Sequence, residues 1–254
     1  MKIFIIKLIL AGLLFLIINS CSDNIVNEPR ESSGVLGMVV DTAGKPIPDV
    51  KIYCLYWYDY YPIYPNLNKE NFKFFTPGSF DFELKQNFPN PVQNSTFIRF
   101  SLPYDCDITL TIKNKISGQI VYSLNGTYAY GLYQQYLGDI VSNQQLENGN
   151  YIITLTAKGS LGQELVAEKN LFVVSIFGQP NAITERNGSY FFDYQKAFIN
   201  DTVFITYVED DPFPKQINNR VYLYFIKEGY FPSIISVDLI SNFLLRRDVI
   251  LYKE

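Results

Sequence analysis

Chemistry in this chain has to be done without histidine, which is absent from its 254 residues. A Ser-His-Asp or Cys-His relay is therefore ruled out, as is any histidine-ligated zinc or iron centre. Carboxylates remain. Glu209-Asp210-Asp211, followed by Pro212, sets three acids side by side. Adjacent carboxylates and backbone carbonyls can complete an oxygen shell around calcium. The triplet lacks the Asp-x-Asp-x-Asp-Gly spacing of a dedicated calcium loop, so it reads first as a solvated turn and no metal is assigned. A glycosidase pair would depend on the separation of two carboxylates in space, which a sequence does not reveal. Cys54 and Cys106 have no Cys-x-x-Cys spacing; in an exported protein they could pair as a disulfide, but they fall in different expected domains and read first as buried free thiols. Neither a Gly-rich phosphate loop nor a Gly-x-Ser-x-Gly elbow occurs. The expectation is a protein without catalytic activity and without a cofactor.

One stretch is dense in groups that bind rather than react. Tyr53, Tyr56, Trp57, Tyr58, Tyr60, Tyr61 and Tyr64 fall within twelve residues. Exposed flat rings stack on sugar faces or protein partners, because their large amphipathic area loses little entropy when held. Buried, the same rings would fill a junction between domains. Tyr56, Trp57, Tyr58, Tyr60 and Tyr61 are the candidate contacts for a glycan or an envelope protein. Pro62 and Pro65 stiffen whichever geometry is used.

The elements that must position these groups read as strands. Twenty Tyr, twenty Phe and only two Met, with 18% charged residues, favour β-structure over helix. A net charge of −4 leaves no basic footprint for nucleic acid. At the N-terminus, Lys2 and Lys7 lie in a mostly apolar run from Ile3 to Ile18 that ends in Asn19-Ser20-Cys21. This is the pattern of a secretory signal over residues 1–20, with an uncleaved membrane helix as the plainer alternative. Ile17-Ile18-Asn19-Ser20-Cys21 is similar to a lipobox, although Asn19 is not the small residue usual at its position. That resemblance implies a lipid on Cys21, membrane attachment through it, and a polar tether over 21–33. Ser22 in place of Asp points to the outer membrane.

Gly34 to Ile52 reads as a strand, a turn marked by Asp41, Gly44 and Pro46, and a second strand starting near Val50, together one hairpin. It resembles the opening of the carboxypeptidase regulatory-like domains, small transthyretin-like sandwiches. The segment that follows in that family resembles Thr184 to Phe192, which arrives here more than a hundred residues late. Lys227-Glu228-Gly229-Tyr230 is similar to the family's Gly-Tyr turn. Residues 34–60 and 180–254 together hold about 100 residues, what a seven-stranded sandwich needs.

Residues 82–174 lie between these pieces. Phe82 to Pro103, and Gln86-Asn87-Phe88-Pro89-Asn90-Pro91 above all, resembles the opening of the secretion-and-sorting modules of the type IX and flagellar hook-capping immunoglobulin-like class. Ile108, Leu110 and Ile112 alternate with Thr109 and Thr111, so one face can turn inward. Ser117-Gly118 and Gly159 to Gly162 mark turns into Ile120 to Leu124 and Leu165 to Val174. Pro89 and Pro91 each lack a donor, which makes their segment a lead-in or an edge. A sorting module normally ends its polypeptide, and here eighty residues follow, so a retained structural domain is expected.

The expected fold is all-β, with two small sandwiches, one inserted into the other, behind a lipoprotein signal. Residues 61–81 form an aromatic linker and 175–179 a second linker. The expected role is a non-catalytic cell-envelope lipoprotein, a structural or protein-interaction module. The alternatives are a carbohydrate-binding accessory protein and secreted cargo of a type IX-like system.

Overall fold

The computed structural model describes residues 33–56, 72–74, 80–206 and 211–254, with 72–74 described as backbone. The expected signal, Cys21 and all but the last residue of the expected tether lie outside them. The first flanking piece supplies β1 (Gly34–Asp41) and β2 (Lys51–Leu55). The middle supplies β3 (Phe72–Phe74), β4 (Glu83–Leu84), β5 (Thr96–Leu102), β6 (Cys106–Asn114), β7 (Ile120–Tyr128), β8 (Gly131–Leu137), a one-turn helix α1 (Ile140–Asn143), β9 (Gly149–Gly159) and β10 (Glu164–Val173). The last piece contributes β11 (Ala182–Ile183), β12 (Ser189–Asp193), a 3-10 turn (Tyr194–Ala197), β13 (Thr202–Ile205), β14 (Phe213–Gln216), β15 (Arg220–Ile226), β16 (Ser233–Asp238), β17 (Leu244–Arg246) and β18 (Val249–Leu251). The protein is all-β, with its sheets packed as sandwiches.

In the central sandwich, one sheet runs β10-β9-β6-β7 and the other β3-β8-β5-β4. Every neighbour in both is antiparallel. The alternation of β6 works as the sequence implies: Ile108, Leu110 and Ile112 are buried, while Asp107 and Thr109 are exposed. Ile153 and Leu155 of β9 extend that face, and Ile98, Phe100 and Leu102 of β5 oppose it. Each such side chain, fully buried, contributes about 1.5–3 kcal/mol. Phe100 and Tyr133 stack with ring centroids 5.3 Å apart.

The outer sandwich joins the two flanking pieces. β1 pairs antiparallel with β12 on one side and, on the other, parallel with β17 and then β18. The opposing sheet runs β11-β2-β15-β16, and β13-β14 forms a separate hairpin. β1 and β2 are thus not a paired hairpin as the sequence suggested. Asp41 Oδ1 accepts from the backbone N–H groups of Ala43 and Lys45, each at 2.9 Å, which closes the turn locally. Buried Ile47 and Val50 then carry the chain across the core into the other sheet. Gly37 is required where β17 hands over to β18: a Cβ there would stand 1.7 Å from the carbonyl oxygen of Arg247. Gly188, at φ +77°, makes the turn into β12.

Candidate functional site

The candidate residues that the structure describes converge where the two sandwiches meet. Tyr56 follows β2 directly. Its ring is 1% exposed and lies 4.7 Å, centroid to centroid, from that of Phe172 on β10. Its hydroxyl donates to the carbonyl of Lys196 at 3.1 Å. As a solvent-facing contact for a glycan or a partner, Tyr56 is therefore corrected to a core residue, because the apolar surface offered by Phe172 outcompetes water for its ring. Trp57, Tyr58, Tyr60 and Tyr61 lie outside the described residues, as do Glu209 and Asp210. Asp211 is exposed just before β14. Among the described residues no three Cys, Asp or Glu side chains gather as a metal site.

Phe172 shows how the junction is built. β10 alternates, so Leu171 and Val173 turn into the central core while Phe172 turns into the outer one, joined there by Val174. Polar groups follow the same path. Asn90, from the Pro-rich lead-in, accepts from Phe172 N–H at 2.9 Å and donates through Nδ2 to the carbonyl of Phe204 on β13. Thr206 N–H also donates to the Asn90 carbonyl at 2.7 Å. Asn148 donates to the carbonyl of Cys54 at 2.9 Å and accepts from Ser175 N–H at 2.6 Å. Asn181 accepts from Cys54 N–H at 2.8 Å and donates to the carbonyl of Asn148 at 3.1 Å. These three amides are at most 5% exposed. Each satisfies backbone groups that no ladder reaches, and a buried group left unmade would cost about 1–3 kcal/mol.

At the rim, Lys196 Nζ meets Glu147 Oε2 at 3.0 Å, and Lys115 Nζ meets Asp201 Oδ2 at 2.6 Å. Two grooves flank the junction. One, of about 420 Å³, is lined by Lys85, Gln86, Lys169, Asn170, Phe204 and Thr206. The other, of about 470 Å³, includes Glu147, Asn148, Gln179, Gln195, Lys196 and Phe198.

The electrostatics of the site favour neutral forms. Burial pushes the Cys54 thiol far up, and burial, reinforced by Cys54, does the same to the Tyr56 phenol. A thiol held neutral is a poor nucleophile. Cys54 and Cys106 are both free and buried, one in each core. The Tyr151 phenol, buried beside Asn148, is pushed up to about 12.

Asn148, Asn181 and Phe172 were not marked as junction residues by the sequence. Asn148 stands in an Asn-Gly-Asn triplet, whose residue types suit a turn and signal nothing about a distant partner, and nothing local distinguishes Phe172 from its neighbours. Asn90 stood within the Gln86–Pro91 element, so that motif held the clue.

No family model matches the chain, and no curated protein matches it. Two solved structures show slight likeness. CopC from Methylosinus trichosporium OB3b is 12% identical, over 38% of this chain and 96% of its own, at a TM-score of 0.28. The Bacillus anthracis TIE protein is 12% identical, over 70% of this chain and 42% of its own, at a TM-score of 0.18. Among the described residues no helix is long and apolar enough to cross a membrane.

Proposed function

We propose that this chain is a non-catalytic cell-envelope lipoprotein, lipidated at Cys21, whose two sandwiches act as one structural or protein-interaction module. The observation that carries this reading is the junction. Phe172 and Val174 of the central piece are built into the outer core, and three buried asparagines tie the pieces together. A unit locked in this way transmits position and load, which suits a spacer or a presenting domain behind a polar tether. The resemblances to regulatory-like and sorting modules fit a supporting role of this kind, although a fold by itself assigns no ligand.

The same junction favours a retained central module over an export tag removed near residue 174. Cleavage after Val174 would separate β11, β12, β15, β17 and β18 from β1 and β2, with which they pair. Intact mass measurement of the protein from native membranes tests the reading. The expected species begins at acylated Cys21 and ends at Glu254. An unlipidated chain ending near Val174 would overturn it in favour of export.

A further inference from the structure

We propose that the outward face of the β1 sheet rests on a lipid surface. The inference builds on the anchoring of Cys21 proposed above. Strand register defines the face: Gly34 of β1 stands level with Leu244 of β17 and Asp193 of β12, Leu36 with Phe191 of β12 and Arg246 of β17, Met38 with Ser189 of β12, and Val40 with Ile250 of β18. Their intervening neighbours Val35, Val39, Phe192 and Val249 turn into the core. On the outward side Phe191 is 42% exposed, Leu244 44% and Ile250 52%. Phe243 and Tyr252 extend the apolar surface beyond the two ends of the sheet.

The same chain shows what it places against water. The outward face of β6 and β9 carries Thr109 opposite Thr156 and Thr111 opposite Thr154. Threonines across the middle of one sandwich's outward face, and exposed Phe, Leu and Ile side chains interspersed with Ser189, Asp193 and Arg246 on the other's, mark the second as an amphipathic face suited to an interface.

The occupant follows from chain length and charge. Gly34 opens β1 within this face, and residues 22–33 alone separate β1 from Cys21. Twelve residues at the dimensions of a flexible linker would span roughly 20 Å, less than the roughly 27 Å length of β1 itself. A lipidated Cys21 therefore holds the bilayer surface within reach of the face at high effective concentration. Apolar and aromatic side chains then enter the interfacial zone, while Arg246 at the end of β17, paired with Asp248 at 3.3 Å, and exposed Arg247 next to it lie at the level of anionic headgroups.

Full-length protein, purified from native membranes and reconstituted in phosphatidylethanolamine–phosphatidylglycerol vesicles with a photoactivatable phospholipid, tests this. Adducts are expected on the peptides bearing Leu36–Val40, Phe191 and Leu244–Tyr252. The double variant Phe191→Glu, Ile250→Glu should lower them roughly tenfold while its thermal unfolding stays unchanged. Adducts confined to residues 21–33 would overturn the inference, as would crosslinks joining this face to a second copy or to another protein. If intact mass finds Cys21 unmodified, the anchoring reading falls separately. In that case the face is judged by adding the same protein to vesicles: adducts on its peptides sustain it, and their absence overturns it.

Discussion

In the central sandwich, β6 pairs with β7, and β9 with β10, across tight turns, so each strand finds a partner soon after it leaves the turn. In the outer sandwich, β1 waits for β12, β17 and β18, and Met38 N–H reaches Asp248 Oδ1 across 210 residues. Closing a long loop costs entropy before any contact rewards it. The central sandwich shortens that loop by bringing its own entry and exit together. Val92 on the way in exchanges backbone hydrogen bonds with Phe172 and Val174 on the way out, at 2.7 and 3.0 Å. The central sandwich thus acts as the clasp of the outer one, and stability is expected to flow from the central sandwich to the outer one more than the reverse.

The largest expected effects test that direction. Phe172→Ala should cost about 3–5 kcal/mol, with hydrogen-exchange protection lost in β1, β2 and β15 and kept in β6 and β9. Leu110→Ala, at the heart of the central core, should cost about 2–5 kcal/mol and remove protection from both sandwiches. If Leu110→Ala leaves the outer strands protected, the clasp is not needed and the asymmetry fails.

Asn148→Ala addresses the polar part of the clasp. It strands the buried Cys54 carbonyl and Ser175 N–H without their partner, and should lower stability by about 2–3 kcal/mol in chemical denaturation. An effect near zero would mean that water replaces the amide.

Alkali offers a comparison without a core deletion. The Tyr151 phenol is pushed up to about 12 from the ordinary 10.0. The folded state therefore holds its proton longer than the unfolded state does. Its contribution is complete below pH 10 and falls away as pH rises towards 12. Tyr190, in the outer core, is shifted in the same direction by burial first. Tyr151→Phe and Tyr190→Phe should each flatten the decline in unfolding free energy over that range, Tyr151→Phe by up to about 3 kcal/mol. A decline unchanged in either variant would place the titration elsewhere.

The smallest effect is expected at the rim. Lys196→Ala removes a half-exposed ion pair with Glu147 and should cost no more than about 1 kcal/mol, falling with added salt. A larger, salt-insensitive loss would move this pair from the rim into the clasp.

Strand identity was legible where periodicity was clean. Ile108 to Ile112 reads as a strand and forms one, because a two-residue alternation suits only an extended chain with one buried face. The Gln86–Pro91 element was legible as a special lead-in, and both of its X-Pro bonds are cis. Partnership was not legible. The Asp41–Pro46 turn looked like a hairpin, yet its flanking strands join different sheets. Tyr56 looked available for binding, yet it is buried against a ring 116 positions further along the chain.

By itself the sequence determined the all-β class, the exclusion of histidine chemistry, the turns, and the alternation that assigns each strand an inner and an outer side. Those properties are local: they depend on residue type and on neighbours a few positions away. Tertiary structure alone decided that β1 lies parallel to β17 and β18, that Phe172 and Val174 cross into the other core, and that Asn90, Asn148 and Asn181 serve as the junction's donors and acceptors. It also decided which outward face carries threonines and which carries exposed Phe, Leu and Ile. Each of these depends on which distant backbone groups lack a ladder partner once the sheets have formed, and no residue carries that information in its own neighbourhood.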